Sequence, residues 1–256
     1  MANFILCKST SLNSYPGVFD FESIDSVENY MLKSNVLQDK FEHKDKSIKY
    51  TLNSQGYRTK EFSDINWSES VLFFGCSWVF GVGVDDNDTL TSLFSKQTGI
   101  DSVNLGMPSV SNWFTVKNCE ILNQYNIKPK AVINLMTYPM RHTIFKDNNK
   151  QSHIGKWATN DEKVIYDMFT QDNTSPNVYS AFCKRLIDSY FECPVLHYAV
   201  DKPCADYLNI PFLIDIVGPD FCWDISNRAR DKQHQGRPVN EKIIKYIVND
   251  FNNKIR

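Results

Sequence analysis

Short apolar runs alternate with amphipathic segments along this chain from about residue 71 onward. The apolar runs predict strands, and they are SVLFFG (70–75), DSVNLG (101–106), KAVINLMTY (130–138), PVLHYAV (194–200) and IPFLIDIVG (210–218). The segments between and after them have helical spacing, and they are residues 88–99, 111–126, 177–192 and 239–255. This strand–helix alternation is typical of an α/β layer built on a mostly parallel sheet.

One edge of the predicted sheet is the place to look for function, because parallel sheets bind ligands at the carboxyl ends of their strands. That rule brings Gly75-Cys76-Ser77, Gly106 and Thr137-Tyr138 to the same edge. The long polar and aromatic connection over residues 141–176 predicts an insertion that forms a rim or lid and sets specificity. Residues 1–65, with a short helix predicted within 21–35, are expected to be an N-terminal extension packed on the core domain of residues 66–256.

Composition and charge exclude several function classes. The formal net charge of −2 and the pI of about 6.2 give no indication of an electrostatic footprint for nucleic acid or anionic membranes. The apolar runs are far shorter than a membrane span, and the first residues lack the basic and apolar regions of a secretion signal. Seven scattered cysteines without a CxxC pair favour free thiols over zinc ligands or disulfides. We therefore expect a cytoplasmic protein without nucleic-acid or membrane partners.

Ser77 is the candidate nucleophile. It lies directly after a buried strand, in the single Gly-x-Ser sequence of the chain, and Gly75 permits a tight turn there. A nucleophilic hydroxyl needs a fixed position, a base within reach and N–H donors for the oxyanion, and the N–H of Ser77 itself is one such donor. The alternative is an ordinary turn.

His234 is the candidate base. Of the five histidines, it alone follows an aspartate by three positions, in the sequence Asp231-Lys232-Gln233-His234. At that spacing the Asp231 carboxylate can accept a hydrogen bond from one ring nitrogen and leave the other to take a proton. The alternative is a pair of surface residues in a polar loop. Gly106, at the end of the second strand, could expose a second oxyanion donor or simply end the strand.

Neighbouring residues allow further interpretations that stay open at this point. Cys76 could be a thiol nucleophile, although a base that faces Ser77 would leave it pointing away. Asp85, Asp86 and Asp88 could bind a cation, but an acidic helix start is the more common role. Aromatic residues that could line a substrate cleft or belong to the core are Trp113, Phe114, Trp157, Tyr166 and Phe169.

Taken together, the blocks at Gly75-Cys76-Ser77, Gly106 and Asp231 to His234 resemble the SGNH (GDSL-type) hydrolase family, in the family's chain order. NSQGYR (53–58) is similar to a segment found before the serine block in some members. The resemblance implies a three-layer, flavodoxin-like α/β/α sandwich with a central, mostly parallel five-stranded sheet. It also implies a serine esterase that cleaves short acyl or O-acetyl esters of small molecules or carbohydrates through an acyl-enzyme, without metal or cofactor.

This chain departs from the family pattern at two places. Cys76 replaces the usual aspartate before the serine, and the third block, which supplies an oxyanion asparagine, is missing from NLMTYPMRH (134–142). Asn134 lies too early in the strand, so Thr137 or Arg141 is the expected replacement donor. These departures leave open an inert binding or assembly module, or an acyltransferase with the same triad. The oligomeric state is not predicted.

Overall fold

The computed structural model describes residues 4–7, 16–22, 24–29, 47–145, 151–172 and 174–255. The strands are β1 (Gly17–Phe19), β2 (Tyr50–Leu52), β3 (Val71–Phe74), β4 (Ser102–Asn104), β5 (Ala131–Met136), β6 (His142–Phe145), β7 (Gln151–Ile154) and β8 (Val195–Ala199). The α-helices are α1 (Ser77–Phe80), α2 (Leu90–Thr98), α3 (Asn112–Gln124), α4 (Asn160–Phe169), α5 (Thr174–Tyr190), α6 (Lys202–Leu208), α7 (Leu213–Val217), α8 (Pro219–Trp223) and α9 (Arg237–Ile255). Of the helix predicted within residues 21–35, residues 27–29 are helical, and residues 23 and 30–35 lie outside the described ranges.

A parallel sheet of four strands forms the centre of the described structure, in the order β4-β3-β5-β8. Every residue of β3 and β5 is buried, because helices flank the sheet and leave neither face of these strands to solvent. Helices α2 and α9 pack together through Phe94 and Phe251, whose ring centroids lie 5.2 Å apart. Helices α3 and α5 form a second packed pair. The predicted α/β class is confirmed.

The predicted fifth strand, residues 210–218, is not a strand. Phe212 makes a single parallel bridge with Ala199, and the chain then turns into helix α7. Leu213, Ile214 and Val217 are buried and lie on one face of that helix, which explains why the segment is apolar without pairing. The described residues therefore contribute four strands to the central sheet, and Phe212 extends its edge at β8 by a single bridge.

The predicted insertion forms a hairpin and a helix beside the sheet. Strands β6 and β7 pair antiparallel, from His142 opposite Ile154 to Phe145 opposite Gln151, and α4 follows. Residues 146–150 and 173 lie outside the described part.

Residues of the predicted N-terminal extension contact the core. Phe4, Leu6 and Tyr57 are buried among core side chains, and the N–H of Cys7 donates to Oδ1 of Asn118 in α3 at 2.8 Å. Strands β1 and β2 form a separate antiparallel pair. Within the described residues, no helix combines the length and the apolar composition that spanning a bilayer requires.

Candidate active site

Ser77 is the first residue of helix α1, directly after the carboxyl end of β3. The turn into this helix requires Gly75, because a Cβ atom there would lie 2.7 Å from Cγ2 of Val79 and 3.1 Å from the carbonyl oxygen of Leu135. The helix ends after one turn at Gly81, which has a left-handed conformation (φ +83°). Ser77 therefore lies at the buried start of a short helix that follows a buried strand, and it lines the cavity described below.

Ser77, His234 and Asp231 form one chain of hydrogen bonds. Nε2 of His234 lies 2.7 Å from Oγ of Ser77, and Nδ1 of the same ring lies 2.5 Å from Oδ2 of Asp231. The other carboxylate oxygen accepts the backbone N–H groups of Gln233 and His234, both at 3.0 Å. The predicted nucleophile and the predicted base, 157 positions apart in the chain, are thus in direct contact.

The Asp231 carboxylate is buried but adapted to carry a charge. Burial alone would raise the pKa of Asp231. The hydrogen bond and the charge of His234, together with the two backbone N–H donors, outweigh burial and lower the pKa below its usual value. An ionised carboxylate at Nδ1 fixes the tautomer in which Nε2 can accept the serine proton.

The loop that carries Asp231 and His234 is folded tightly on itself. The N–H of Ala229 donates to the carbonyl of His234 at 3.0 Å, and the N–H of Lys232 donates to the carbonyl of Ala229 at 2.8 Å. Lys232 has a positive φ of 59°, a conformation that is uncommon for residues other than glycine. These bonds place the carboxylate and the ring three positions apart on the same side of the turn.

This loop is attached to the rest of the protein by a buried ion pair that the sequence did not indicate. Nε and Nη2 of Arg230 donate to the two carboxylate oxygens of Asp25, at 3.0 and 2.7 Å. The hydroxyl of Tyr50 also donates to Asp25, at 2.5 Å, and accepts the N–H of Gly83 at 2.6 Å. The N–H of Arg230 in turn donates to the carbonyl of Gly83 at 2.9 Å. The N-terminal segment, the loop after α1 and the loop of Asp231 are thereby joined.

Arg58, in the NSQGYR segment, holds the loop after α1 from its other side. Its buried guanidinium donates to the carbonyls of Gly81 (2.5 Å) and Val84 (2.8 Å) and forms an ion pair with Asp86 at 2.6 Å. The acidic residues of this loop therefore have structural roles: Asp86 pairs with Arg58, and Asp85 accepts the N–H of Asn87. Among the described residues, no cluster of three or more His, Cys, Asp or Glu side chains could hold a metal ion.

Gly106 lies against the helix of the candidate nucleophile. A Cβ atom on Gly106 would lie 2.6 Å from both the backbone nitrogen of Phe80 and Cβ of Val79. Its N–H donates to Oδ1 of Asn104 at 3.1 Å, and Nδ2 of Asn104 donates to the carbonyl of Val79 at 2.8 Å. The predicted oxyanion donor thus has a side-chain acceptor in this structure, and its role toward substrate stays a prediction.

Thr137 and Arg141 contact each other beside the cavity. The backbone N–H of Thr137 donates to Oδ1 of Asn112 at 2.8 Å, and its hydroxyl accepts Nη1 of Arg141 at 3.1 Å. Arg141 lines the cavity, whereas Thr137 is buried behind it. Asn134 lies within β5, as expected, and donates to Nδ1 of His197 at 3.1 Å. That Thr137 or Arg141 replaces the asparagine of the third block stays a prediction.

A cavity of about 520 Å³ opens over Ser77 and His234. Its walls come from α1, the segment after β5, the hairpin insertion and the loop of His234. Of the aromatic residues considered from the sequence, Trp157 and Tyr166 line it. Phe114 is buried in the core, Trp113 packs on Tyr179, and Phe169 lies against His142. The insertion therefore does contribute to the cavity wall.

The other histidines of the described residues, and the cysteines, have other environments. His197 pairs with Asp188 at 2.7 Å; burial lowers its pKa despite that partner. Burial also lowers the pKa of His142 and of His153 to about 4. All seven cysteines are unpaired, as expected, and Cys76 is fully buried with its Sγ 3.9 Å from Oγ of Ser77.

Comparison with known proteins gives distant structural likenesses only. No protein-family model matches the chain, and no curated protein matches it. Similar solved structures include an acetyl xylan esterase from the rumen bacterium Butyrivibrio proteoclasticus, at 9% identity and a TM-score of 0.45, covering 73% of this chain and 64% of that chain. TesA matches at 12% identity and a TM-score of 0.46, over 70% of this chain and 96% of that chain.

A protein described as a GDSL-like lipase, from Bacteroides ovatus, matches at 12% identity and a TM-score of 0.44, over 73% of this chain and 54% of that chain. The matched region thus spans less than two thirds of the rumen esterase and about half of the Bacteroides protein. Esterases and lipases of the SGNH/GDSL type, the family that the sequence resembles, are found among the structures similar to this chain.

Proposed function

We propose that this protein is a serine esterase of the SGNH type that cleaves a carboxylic ester through an acyl-enzyme. The observation that carries the proposal is the continuous hydrogen-bond chain from Oγ of Ser77 through His234 to Asp231, at 2.7 and 2.5 Å. A serine, a histidine and a buried carboxylate in this order are the parts that a serine hydrolase needs. The position of Ser77 and His234 in the lining of a cavity supports the same function.

In the proposed mechanism, Oγ of Ser77 attacks the ester carbonyl while Nε2 of His234 takes the hydroxyl proton. Asp231 keeps the ring in the required tautomer and stabilises the imidazolium. The imidazolium then gives its proton to the departing alkoxide, and the acyl group stays on Ser77. In the second half, His234 takes a proton from water, the resulting hydroxide attacks the acyl carbonyl, and Ser77 recovers its proton as the acid leaves.

The oxyanion of each tetrahedral intermediate needs donors that are fixed before the reaction. The backbone N–H of Ser77 is one candidate, since it begins α1. The N–H of Gly106 would serve only if substrate displaces Oδ1 of Asn104 from it. We propose Thr137 as the side-chain donor in place of the missing asparagine, and Arg141 takes that place instead if Arg141→Gln lowers kcat equally for charged and neutral esters.

Turnover of p-nitrophenyl acetate tests the proposal. We expect Ser77→Ala and His234→Ala to lower kcat by at least about 10⁴-fold, and Asp231→Asn by on the order of 10⁴-fold. Asp188→Asn is the matched control for Asp231→Asn, because Asp188 forms the same kind of pair with His197 away from the cavity. Equal activity of Ser77→Ala and the folded wild type would contradict the proposal.

The second candidate is an inert binding or assembly module with the same fold. The bond between Gly106 and Asn104 favours it, because that bond occupies an expected oxyanion donor. A folded wild-type protein with no turnover of any ester offered would support this candidate. An acyltransferase shares the acyl-enzyme half-reaction, and it would be recognised by transfer of acetyl to an added alcohol in preference to water.

A further inference from the structure

The cavity over Ser77 carries an unbalanced set of charged side chains. Arg141 and Lys156 line it on the side of the hairpin insertion, and Asp201 is the one acidic side chain among the described residues that line it. Asp231 lies outside the lining set, buried behind His234 and hydrogen-bonded to it. The wall formed by the insertion is therefore positively charged, beside a nucleophile whose own reaction requires no cation there.

Arg141 is held in place without an acidic partner. Its guanidinium carbon lies 4.9 Å from the ring centroid of Tyr138 and 5.3 Å from that of Trp157. Nη1 donates to Thr137, and no carboxylate among the described residues forms an ion pair with Arg141. A guanidinium presents five N–H donors in a fixed plane that matches a carboxylate or a phosphate. Arg141 is thus oriented by two rings and one hydroxyl, and most of its donors face no acceptor among the described residues.

Lys156 lines the same cavity as Arg141 and lies in a tight turn after β7. The N–H of Ala158 donates to the carbonyl of Gly155 at 2.8 Å, and Nε1 of Trp157 donates to the carbonyl of His153 at 3.3 Å. These bonds fix the Trp157 ring beside Arg141 and leave Lys156 exposed at the cavity wall. Lys156 also forms no ion pair within the described part of the chain.

Two further polar groups line the cavity. Asn177 lines the cavity, is 8% exposed, and its buried Oδ1 has no hydrogen-bond partner. The amide can turn over within the same shape and present Nδ2 instead. Asp201 uses Oδ2 to accept the N–H of Cys204 at the start of α6, at 3.1 Å, which leaves its charge partly engaged in capping that helix.

We propose that the ester cleaved at Ser77 carries a negatively charged group, a carboxylate or a phosphate, which Arg141 and Lys156 bind at the insertion wall of the cavity. This inference rests on the esterase function proposed above, and it names the class of substrate. The charge belongs either to the acyl group or to the alcohol part, and both arrangements use the same recognition chemistry. The role of Arg141 is then to hold substrate, not to stabilise the oxyanion.

The test compares matched esters that differ in charge. The pair 4-acetoxybenzoate and methyl 4-acetoxybenzoate places the charge on the alcohol part, and the pair p-nitrophenyl hydrogen adipate and p-nitrophenyl hexanoate places it on the acyl part. In the pair that carries the charge on the same part as the natural substrate, we expect the wild type to have at least a tenfold higher kcat/KM for the anionic ester than for the neutral ester. Arg141→Gln should lower that ratio at least tenfold and Lys156→Gln severalfold, mainly through KM. Raising the salt concentration should also lower the ratio of kcat/KM for the anionic ester to that for the neutral ester.

Asp201→Asn is the matched control. This substitution removes the negative charge of Asp201 and keeps the helix cap, so the preference in kcat/KM for the anionic ester should increase. The proposal is overturned if the wild type has no preference in either pair, or if Arg141→Gln lowers kcat equally for both members, which is the signature of an oxyanion donor.

A failure of the esterase proposal is recognised separately, by absence of turnover of all four esters. Calorimetry on Ser77→Ala then still tests charge recognition, with 4-hydroxybenzoate against 4-hydroxybenzamide. Tighter binding of the acid that is lost in Ser77→Ala/Arg141→Gln supports the anion site. Equal binding of the two compounds overturns it.

Discussion

Arg230 and Asp25 lie 205 positions apart in the chain and form a two-point ion pair that is almost completely buried, with distances of 3.0 and 2.7 Å. Because Arg230 directly precedes Asp231, this contact fixes the backbone from which the carboxylate of the candidate triad extends. Tyr50 connects the same pair to Gly83, in the loop that follows the helix of Ser77. The N-terminal segment is thereby part of the frame of the site.

Asp25→Asn should lower both stability and activity. Removing one partner of a buried pair leaves the other charge uncompensated, which costs about 3–5 kcal/mol of unfolding free energy. We expect kcat for p-nitrophenyl acetate to fall by more than about tenfold at a temperature where the variant is still folded, because the loop of Asp231 and His234 loses its anchor. Urea denaturation and turnover are the measurements.

Asp20→Asn is the control for Asp25→Asn, since the Asp20 side chain is exposed and its partner Lys49 is exposed as well. It should change neither property appreciably. A stability of Asp25→Asn equal to that of Asp20→Asn would show that the buried pair does not anchor the loop.

The part of the site that could be predicted from the sequence is the part with local signals. Ser77 follows an apolar run and a glycine, and Asp231 and His234 are three positions apart, so each piece is visible within a few residues. The alternation of strands and helices then brings both to one edge of the sheet. By contrast, no local pattern connects Asp25 with Arg230, because a single aspartate and a single arginine occur in many surroundings.

The same dependence on local signals explains why a fifth strand was wrongly predicted for the sheet. Residues 210–218 are apolar, and a short apolar run is compatible with a buried strand or with a short buried helix. Leu213, Ile214 and Val217 have the spacing of a helix face, and Asp215 between them is exposed. The two conformations differ in tertiary contacts, such as the packing of α7 against α9, which are not visible in the run itself.

Gly106→Ala should impair catalysis more than it impairs folding. The added methyl group would lie 2.6 Å from the backbone nitrogen of Phe80, so helix α1 and Ser77 must shift. A displacement of about 1 Å costs on the order of 10²-fold in kcat. Steady-state kinetics of the purified variant, with circular dichroism as the check on folding, measure this effect.

Gly99→Ala is a suitable comparison for Gly106→Ala. It introduces a methyl group into open space at the end of α2, at a positive φ of 71°, and we expect it to lose about 1 kcal/mol of stability without a change in kcat. Gly106→Ala with wild-type kcat would mean that contact between Gly106 and α1 does not position the serine.

Stability should depend on pH through the two buried histidines of the hairpin insertion. Burial lowers the pKa of His142 and His153 from 6.5 to about 4, so both are neutral in the folded protein while the unfolded chain takes up a proton at each below about pH 6.5. The unfolded state binds more protons in this window, so the free energy of unfolding falls as the pH drops from 6.5 to 4. Above that window these two groups contribute no pH dependence.

Urea denaturation at pH 7 and pH 5 measures this effect. The variant His142→Gln/His153→Gln should lose less stability between the two pH values than the wild type does. An identical loss in both proteins would mean that these histidines are not responsible for the pH dependence.

The central claim is that Ser77 is an activated nucleophile, and labelling with a fluorophosphonate probe followed by peptide mapping tests it most directly. We predict one adduct, on Ser77, in the wild type and in Ser109→Ala, whose altered serine lines the same cavity outside the triad. Ser77→Ala should carry no adduct. A folded wild-type protein that stays unlabelled, or that is labelled at another residue, would contradict the account.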